Sequence, residues 1–116
     1  MTVYKILTRQ QWAAAAAGGQ FNGAALDLVD GYIHLSTASQ LIETVRRHFQ
    51  SQADLVIVCL DTERLGDGLR WEPSRGGALF PHFYGTLPTT AATSLIDLPL
   101  GPDGEHQFPP GPWHLT

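Results

Sequence analysis

Three short segments hold most of the side chains that a plain hydrophobic core would not need. The first is Asp30-Gly31-Tyr32-Ile33-His34-Leu35-Ser36-Thr37. A strand period of two puts Tyr32, His34 and Ser36 on one face and Ile33 and Leu35 on the other. Ser36 and Thr37 stand where a helix is predicted to begin, so free N–H groups there could receive an anion or a ribose phosphate. The plain alternative makes them helix caps and His34 a surface histidine. The second segment, Arg70-Trp71-Glu72-Pro73-Ser74-Arg75-Gly76-Gly77, sets Glu72 at a strand end beside two arginines and Trp71. A carboxylate there can act as a general base, accept from a sugar hydroxyl, or stabilise developing positive charge; the alternative is an exposed ion pair with Arg70 or Arg75. In the third, Phe80-Pro81-His82-Phe83-Tyr84-Gly85, alternation gathers Phe80, His82 and Tyr84 opposite Phe83. That face suits a planar or sugar ligand, or else an aromatic core strand holding a neutral His82.

The elements that must position these residues can be read from periodicity. Thr2 to Thr8 alternates as a first strand, with Val3, Lys5 and Leu7 on one face and Tyr4 and Ile6 on the other. Arg9 to Ala17 is an alanine-rich helix anchored by Trp12 and stopped at Gly18-Gly19. Phe21 to Gly31 reads as loop, and Tyr32 to Ser36 as a short strand. A second helix follows, with Thr37 and Gln40 at capping-box spacing and an apolar stripe of Leu41, Val45 and Phe49. Ala53 to Leu60 is a central strand buried on both faces. Asp61 to Gly68 is a charged connection, and strands are expected at Leu69 to Glu72, Leu79 to Thr86 and Thr93 to Leu98. The order predicts an α+β domain over residues 1–100: a small bent or split β-sheet, mixed or antiparallel, with two packed helices. Residues 101–116 form a Pro/Gly-rich tail with four of the eight prolines, either wrapped on the domain or disordered.

The chain has 116 residues, 43% apolar, and a formal charge of −4 from seven basic and eleven acidic side chains. No run approaches the ~20 apolar residues of a membrane span, and the first residues lack signal-peptide character. A single cysteine, Cys59, points to packing in a reducing cytoplasm. Lys5 is the only lysine and no basic stripe exists, which argues against a nucleic-acid partner. His34, Glu72 and His82 could imitate a two-histidine, one-carboxylate site, but no compact H-x-H or H-x-x-x-H pair supports it, so no metal is expected. Neither a nucleophile elbow nor a phosphate-binding glycine loop is present. His48, His106 and His114 read as solvated.

At these segments the sequence resembles the small bacterial proteins grouped as domain of unknown function 952. The shared features are Tyr4-Lys5-Ile6, Trp12, Asp30 to Ser36, Phe49, Leu55 to Leu60, Trp71 to Gly77 and Phe80 to Tyr84. The match runs from about residue 3 to residue 98 and leaves out the tail. The resemblance implies a small member of the ADP-ribosyltransferase fold, a bent, split sheet with its ligand in a central cleft. It also implies that His34 and Ser36 hold a ribose hydroxyl or phosphate, that Tyr84 stacks on a nicotinamide, and that Glu72 or His82 fills the late polar position.

The expectation is therefore a site with His34, Glu72 and His82 as its catalytic candidates. Tyr32, Ser36, Thr37, Trp71, Arg75 and Tyr84 are its candidate ligand contacts. It would act on NAD, as substrate, or on an ADP-ribose-like nucleotide, by transferase or hydrolase chemistry. Two alternatives stay open: a non-catalytic sensor on the same fold, and an acid–base enzyme on an unrelated metabolite using His34 and His82. The geometric premise is that the groups at 34, 72, 82 and 84 meet in one hollow.

Overall fold

The structure, a computed structural model, describes residues 1–114. In chain order its elements are β1 (Thr2–Thr8), α1 (Arg9–Gly18), β2 (Gln20–Phe21), α2 (Ala25–Asp30), β3 (Ile33–His34), α3 (Ala38–His48), β4 (Leu55–Asp61), α4 (Thr62–Leu65), β5 (Leu69–Pro73), β6 (Leu79–Phe83), β7 (Leu87–Pro88) and β8 (Ala92–Leu98). The fold is α+β, as its order of elements predicts. Of the two sheet types expected, mixed or antiparallel, the sheets are antiparallel throughout, and two short helices, α2 and α4, join the two expected ones.

One three-stranded sheet has the order β1-β4-β8 and another the order β3-β6-β5; β2 and β7 form a small ribbon. The two larger sheets meet at a single backbone bridge. Tyr4 N–H donates to Ser36 O (2.8 Å) and Ser36 N–H donates to Tyr4 O (2.9 Å). The sheet is thus split along one seam, and the seam lies where β1 passes His34 and Ser36.

Both faces of β4, the middle strand of the first sheet, are covered, which explains why it is apolar at every position but its last. Val3 and Leu7 of β1 with Val56, Val58 and Leu60 of β4 face one core, closed by Phe21, Ile33 and Phe83. Tyr4 and Ile6 with Leu55, Ile57 and Cys59 face the other, beneath Leu41 and Val45 of α3. The alternation expected for β1 is therefore the one observed. Trp12 packs half-buried against the first core.

Helix boundaries follow local chemistry. Thr8 and Gln11 cap α1 reciprocally, through Thr8 Oγ1 accepting from Gln11 N–H (3.0 Å) and Gln11 Oε1 accepting from Thr8 N–H (2.8 Å). Gly19 ends it at φ +82°. In α3 the Gln40 side chain accepts from Thr37 N–H at 3.0 Å.

Several sequence readings need correction. Phe21 to Gly31 is not a loop but contains β2's end and all of α2, whose six residues are too few to show a helical period. Asp61 to Gly68 carries α4, capped by Asp61 Oδ1 accepting from Glu63 N–H. The strand expected to run to Thr86 stops at Phe83, and the chain bends before β7. As far as residue 114 the tail wraps the domain. Trp113 is buried in the second core, edge-on to Tyr4 at 5.9 Å, with its indole N–H donating to Pro109 O (2.8 Å).

Candidate functional site

Lys5 faces inward between the apolar Val3 and Leu7 of β1, and such a group must find partners. Its ammonium lies 2.9 Å from Asp27 Oδ2 and also donates to Asp27 Oδ1 (3.0 Å) and His34 O (2.9 Å). Asp27 accepts further from Ala24 N–H (2.8 Å) and His34 N–H (3.0 Å), and its Oδ1 is 2.7 Å from His34 Nδ1. Burial alone would raise the Asp27 carboxyl; hydrogen bonds from His34 and the charge of Lys5 outweigh it and hold the group well below the usual carboxylate range. Burial pushes the Lys5 ammonium down, against the opposing pull of Asp27. Gly31, at φ +84°, turns the chain sharply from α2 into β3. That turn brings Asp30 Oδ2 to 2.8 Å from His34 Nε2. Both imidazole nitrogens of His34 thus face carboxylates, and only a ring carrying hydrogen on both can donate to each.

A second group sits on β5 and β6. In register, Arg70 stands opposite His82 and Glu72 opposite Phe80, so Glu72 is the diagonal neighbour of His82. Glu72 Oε1 lies 2.8 Å from His82 Nδ1 and accepts from the Tyr84 hydroxyl at 2.8 Å. Those two hydrogen bonds, His82 first, lower the Glu72 carboxyl, while the bond to Glu72 raises the Tyr84 phenol. Glu72 therefore serves His82 and Tyr84 rather than Arg70 or Arg75. Tyr32 joins the two groups. Its ring stacks on His82 (4.1 Å between centroids, 28° between planes) and lies 4.7 Å from His34 and 5.4 Å from Tyr84. The two imidazoles are 5.8 Å apart.

A cleft of about 420 Å³ opens along the seam between the sheets. His34, Ser36, Arg75 and His82 line it, together with Lys5, Asp27, Thr44 and His48. Ser36 is buried and its hydroxyl lies 2.9 Å from that of Thr44. The Arg75 guanidinium covers the Phe80 ring at 4.8 Å and donates to Thr44 Oγ1 at 3.4 Å. The groups at 34, 72, 82 and 84 do gather in one place, but not all on the cleft wall. Tyr32, Glu72 and Tyr84 stand behind the two histidines, outside the cleft lining. Thr37 also lies outside that lining, at the start of α3, and Trp71 is exposed on β5, turned away from Glu72 by the strand alternation.

The pattern of the family described as "Protein of unknown function (DUF952)" matches residues 6–95. The chain belongs to this DUF952 family. It is similar to protein CC0527 from Caulobacter crescentus, whose crystal structure is 48% identical with a TM-score of 0.87, covering 92% of this chain and 94% of that one. The solution NMR structure of CC0527 is 50% identical with a TM-score of 0.78, covering 89% of each chain. No curated protein matches.

In this DUF952 chain the site includes residues that motif spacing did not single out. Asp27, seven positions before His34, is the hub of the buried network. One signal for it exists: Lys5 on the Val3 and Leu7 face of β1 requires a buried anion, and Asp27 supplies it. His48, at the end of α3, is exposed as expected yet lines the cleft, where burial and then the charge of Arg75 lower its basicity. His106 contacts the Gln52 carbonyl oxygen at 2.7 Å and His114 is exposed; neither lines the cleft. Among the described residues no helix is long and apolar enough to cross a membrane.

Proposed function

We propose that the cleft binds a phosphorylated, nucleotide-type ligand of the NAD or ADP-ribose class. One observation carries this reading: in a chain of formal charge −4, two cationic side chains line the cleft against one carboxylate. Lys5 and Arg75 are its cations, His34, His48 and His82 add three imidazoles, and its single carboxylate, Asp27, is held by Lys5. Arg75 has no carboxylate within ion-pair distance among the described residues, so its forked donors remain to meet a phosphate. Thr44 and Ser74 add hydroxyls beside it, and His82 offers a planar polar edge further along the wall. A split antiparallel sheet with a cleft on its seam supports an ADP-ribosyltransferase-like arrangement, in which the cleft would position an NAD ribose for transfer or hydrolysis.

The test is a calorimetric and NMR titration with ADP-ribose and with NAD. Saturable binding is expected, with shifts at Ser36, Thr44, Arg75 and His82. Arg75→Ala should weaken it by about 10-fold or more, the loss of one charge-assisted contact. Release of nicotinamide from NAD on long incubation separates an enzyme from a binding module. Unmoved cleft signals at millimolar ligand would sink the proposal.

A further inference from the structure

His34 and His82 line the same cleft but cannot do the same work. Both nitrogens of His34 are engaged, Nδ1 by Asp27 at 2.7 Å and Nε2 by Asp30 at 2.8 Å, so neither is left for an occupant. His82 is bonded only once, by Nδ1 to Glu72 Oε1, and Nε2 has no hydrogen-bond partner among the described residues. An ionised carboxylate only accepts, so the proton of a neutral His82 ring must sit on Nδ1 and the lone pair on Nε2.

We infer that His82 Nε2 is the proton acceptor the cleft presents to a hydroxyl of its occupant, and that Glu72 and Tyr84 are positioning residues which hold the ring in that tautomer. The ligand would be of the nucleotide class proposed above, and the inference rests on that reading for the ligand alone. In the step, the ligand O–H bond breaks, its electron pair stays on oxygen, and the proton passes to Nε2. The resulting imidazolium keeps its Nδ1–H donated to Glu72, whose negative charge offsets the new positive one. Tyr84 fixes Glu72 by donating to the same Oε1, and Tyr32 stacks on the ring and prevents it from tilting. The groups facing His82 are Tyr32, His34, Glu72 and, opposite in register on β5, Arg70, while Tyr84 reaches it through Glu72.

Long-range proton–nitrogen correlation spectra of the ligand-free, 15N-labelled protein, recorded where the His82 ring is neutral, read the tautomer directly. The expected spectrum has hydrogen on Nδ1 of His82 and none on Nε2. Glu72→Ala should give a mixture of tautomers, Tyr84→Phe a smaller drift toward the same mixture, and Glu72→Gln provides a second variant of this half-buried position. Hydrogen on Nε2 in the native protein, or an unchanged tautomer in both Glu72 variants, would overturn the inference. Adding ADP-ribose should then move the His82 Nε2 resonance; shifts at Arg75 and Thr44 without it would also overturn the inference. ADP-ribose that moves no cleft signal contradicts the ligand reading instead, and the tautomer result then decides the positioning roles by itself.

Discussion

Lys5 and Asp27 form an ion pair beneath His34, with Nζ 2.9 Å from Oδ2 and both side chains almost fully enclosed. The pair is the keystone of the seam: one partner comes from β1, the other from α2, and both also bond to His34. Its contribution to stability is best judged by what its loss leaves behind. Asp27→Ala strands a buried ammonium and should cost about 3–5 kcal/mol, read from urea unfolding. The double variant Lys5→Met, Asp27→Asn removes both charges and should recover part of that loss. A change under about 1 kcal/mol for Asp27→Ala would show that water reaches Lys5 and the pair is not sealed.

The same carboxylate makes stability depend on acid. Its folded value lies below the ~3.9 of an unfolded aspartate, so the unfolded chain binds the extra proton first as pH falls. The stabilisation is therefore complete above about pH 5 and declines steadily below that. Wild type should lose stability faster than Asp27→Asn between about pH 4.5 and 3, by a slope difference of up to ~1.4 kcal/mol per pH unit. Parallel slopes would contradict the assignment.

The hydrogen bond to Glu72 holds the Tyr84 phenol above its ordinary value, since ionising it breaks that bond and sets a phenolate against the carboxylate. The folded value lies above the ~10 of a free phenol, so this stabilisation is present below pH 10 and fades as the pH climbs through the folded value. Glu72→Gln should bring the Tyr84 titration, followed by NMR of the ring signals, back toward the ordinary value. Should Tyr84 ionise no earlier in that variant, the phenol is held by something other than Glu72.

Trp113 ties the tail to the domain through Tyr4, Leu41 and Val45. Trp113→Ala should cost about 3–5 kcal/mol, a value typical of a fully enclosed indole. Because Tyr4 also lines the cleft, the variant should move NMR signals around Ser36 as well. Wild-type stability in this variant would mean that the tail rests on the surface without contributing to the core.

The local order of the chain determined much of this protein. Alternation in β1 and β4 sorted their side chains between two cores, and Thr37 with Gln40 marked the start of α3, because these patterns depend only on neighbours along the chain. The motifs around 34, 72 and 82 likewise held residues that do gather, His34, Glu72, His82 and Tyr84, but also Thr37 and Trp71, which do not. What spacing could not reveal is which of them face the cleft and which stand behind. Glu72 and His82 are ten positions apart, and their bond exists because β5 and β6 pair in a register that makes them diagonal neighbours. Asp27 joined the site only when a six-residue helix, too short to show a period, folded back against Lys5. Register and burial are properties of the assembled sheets. They alone gave one histidine two carboxylate partners and left the other a free nitrogen.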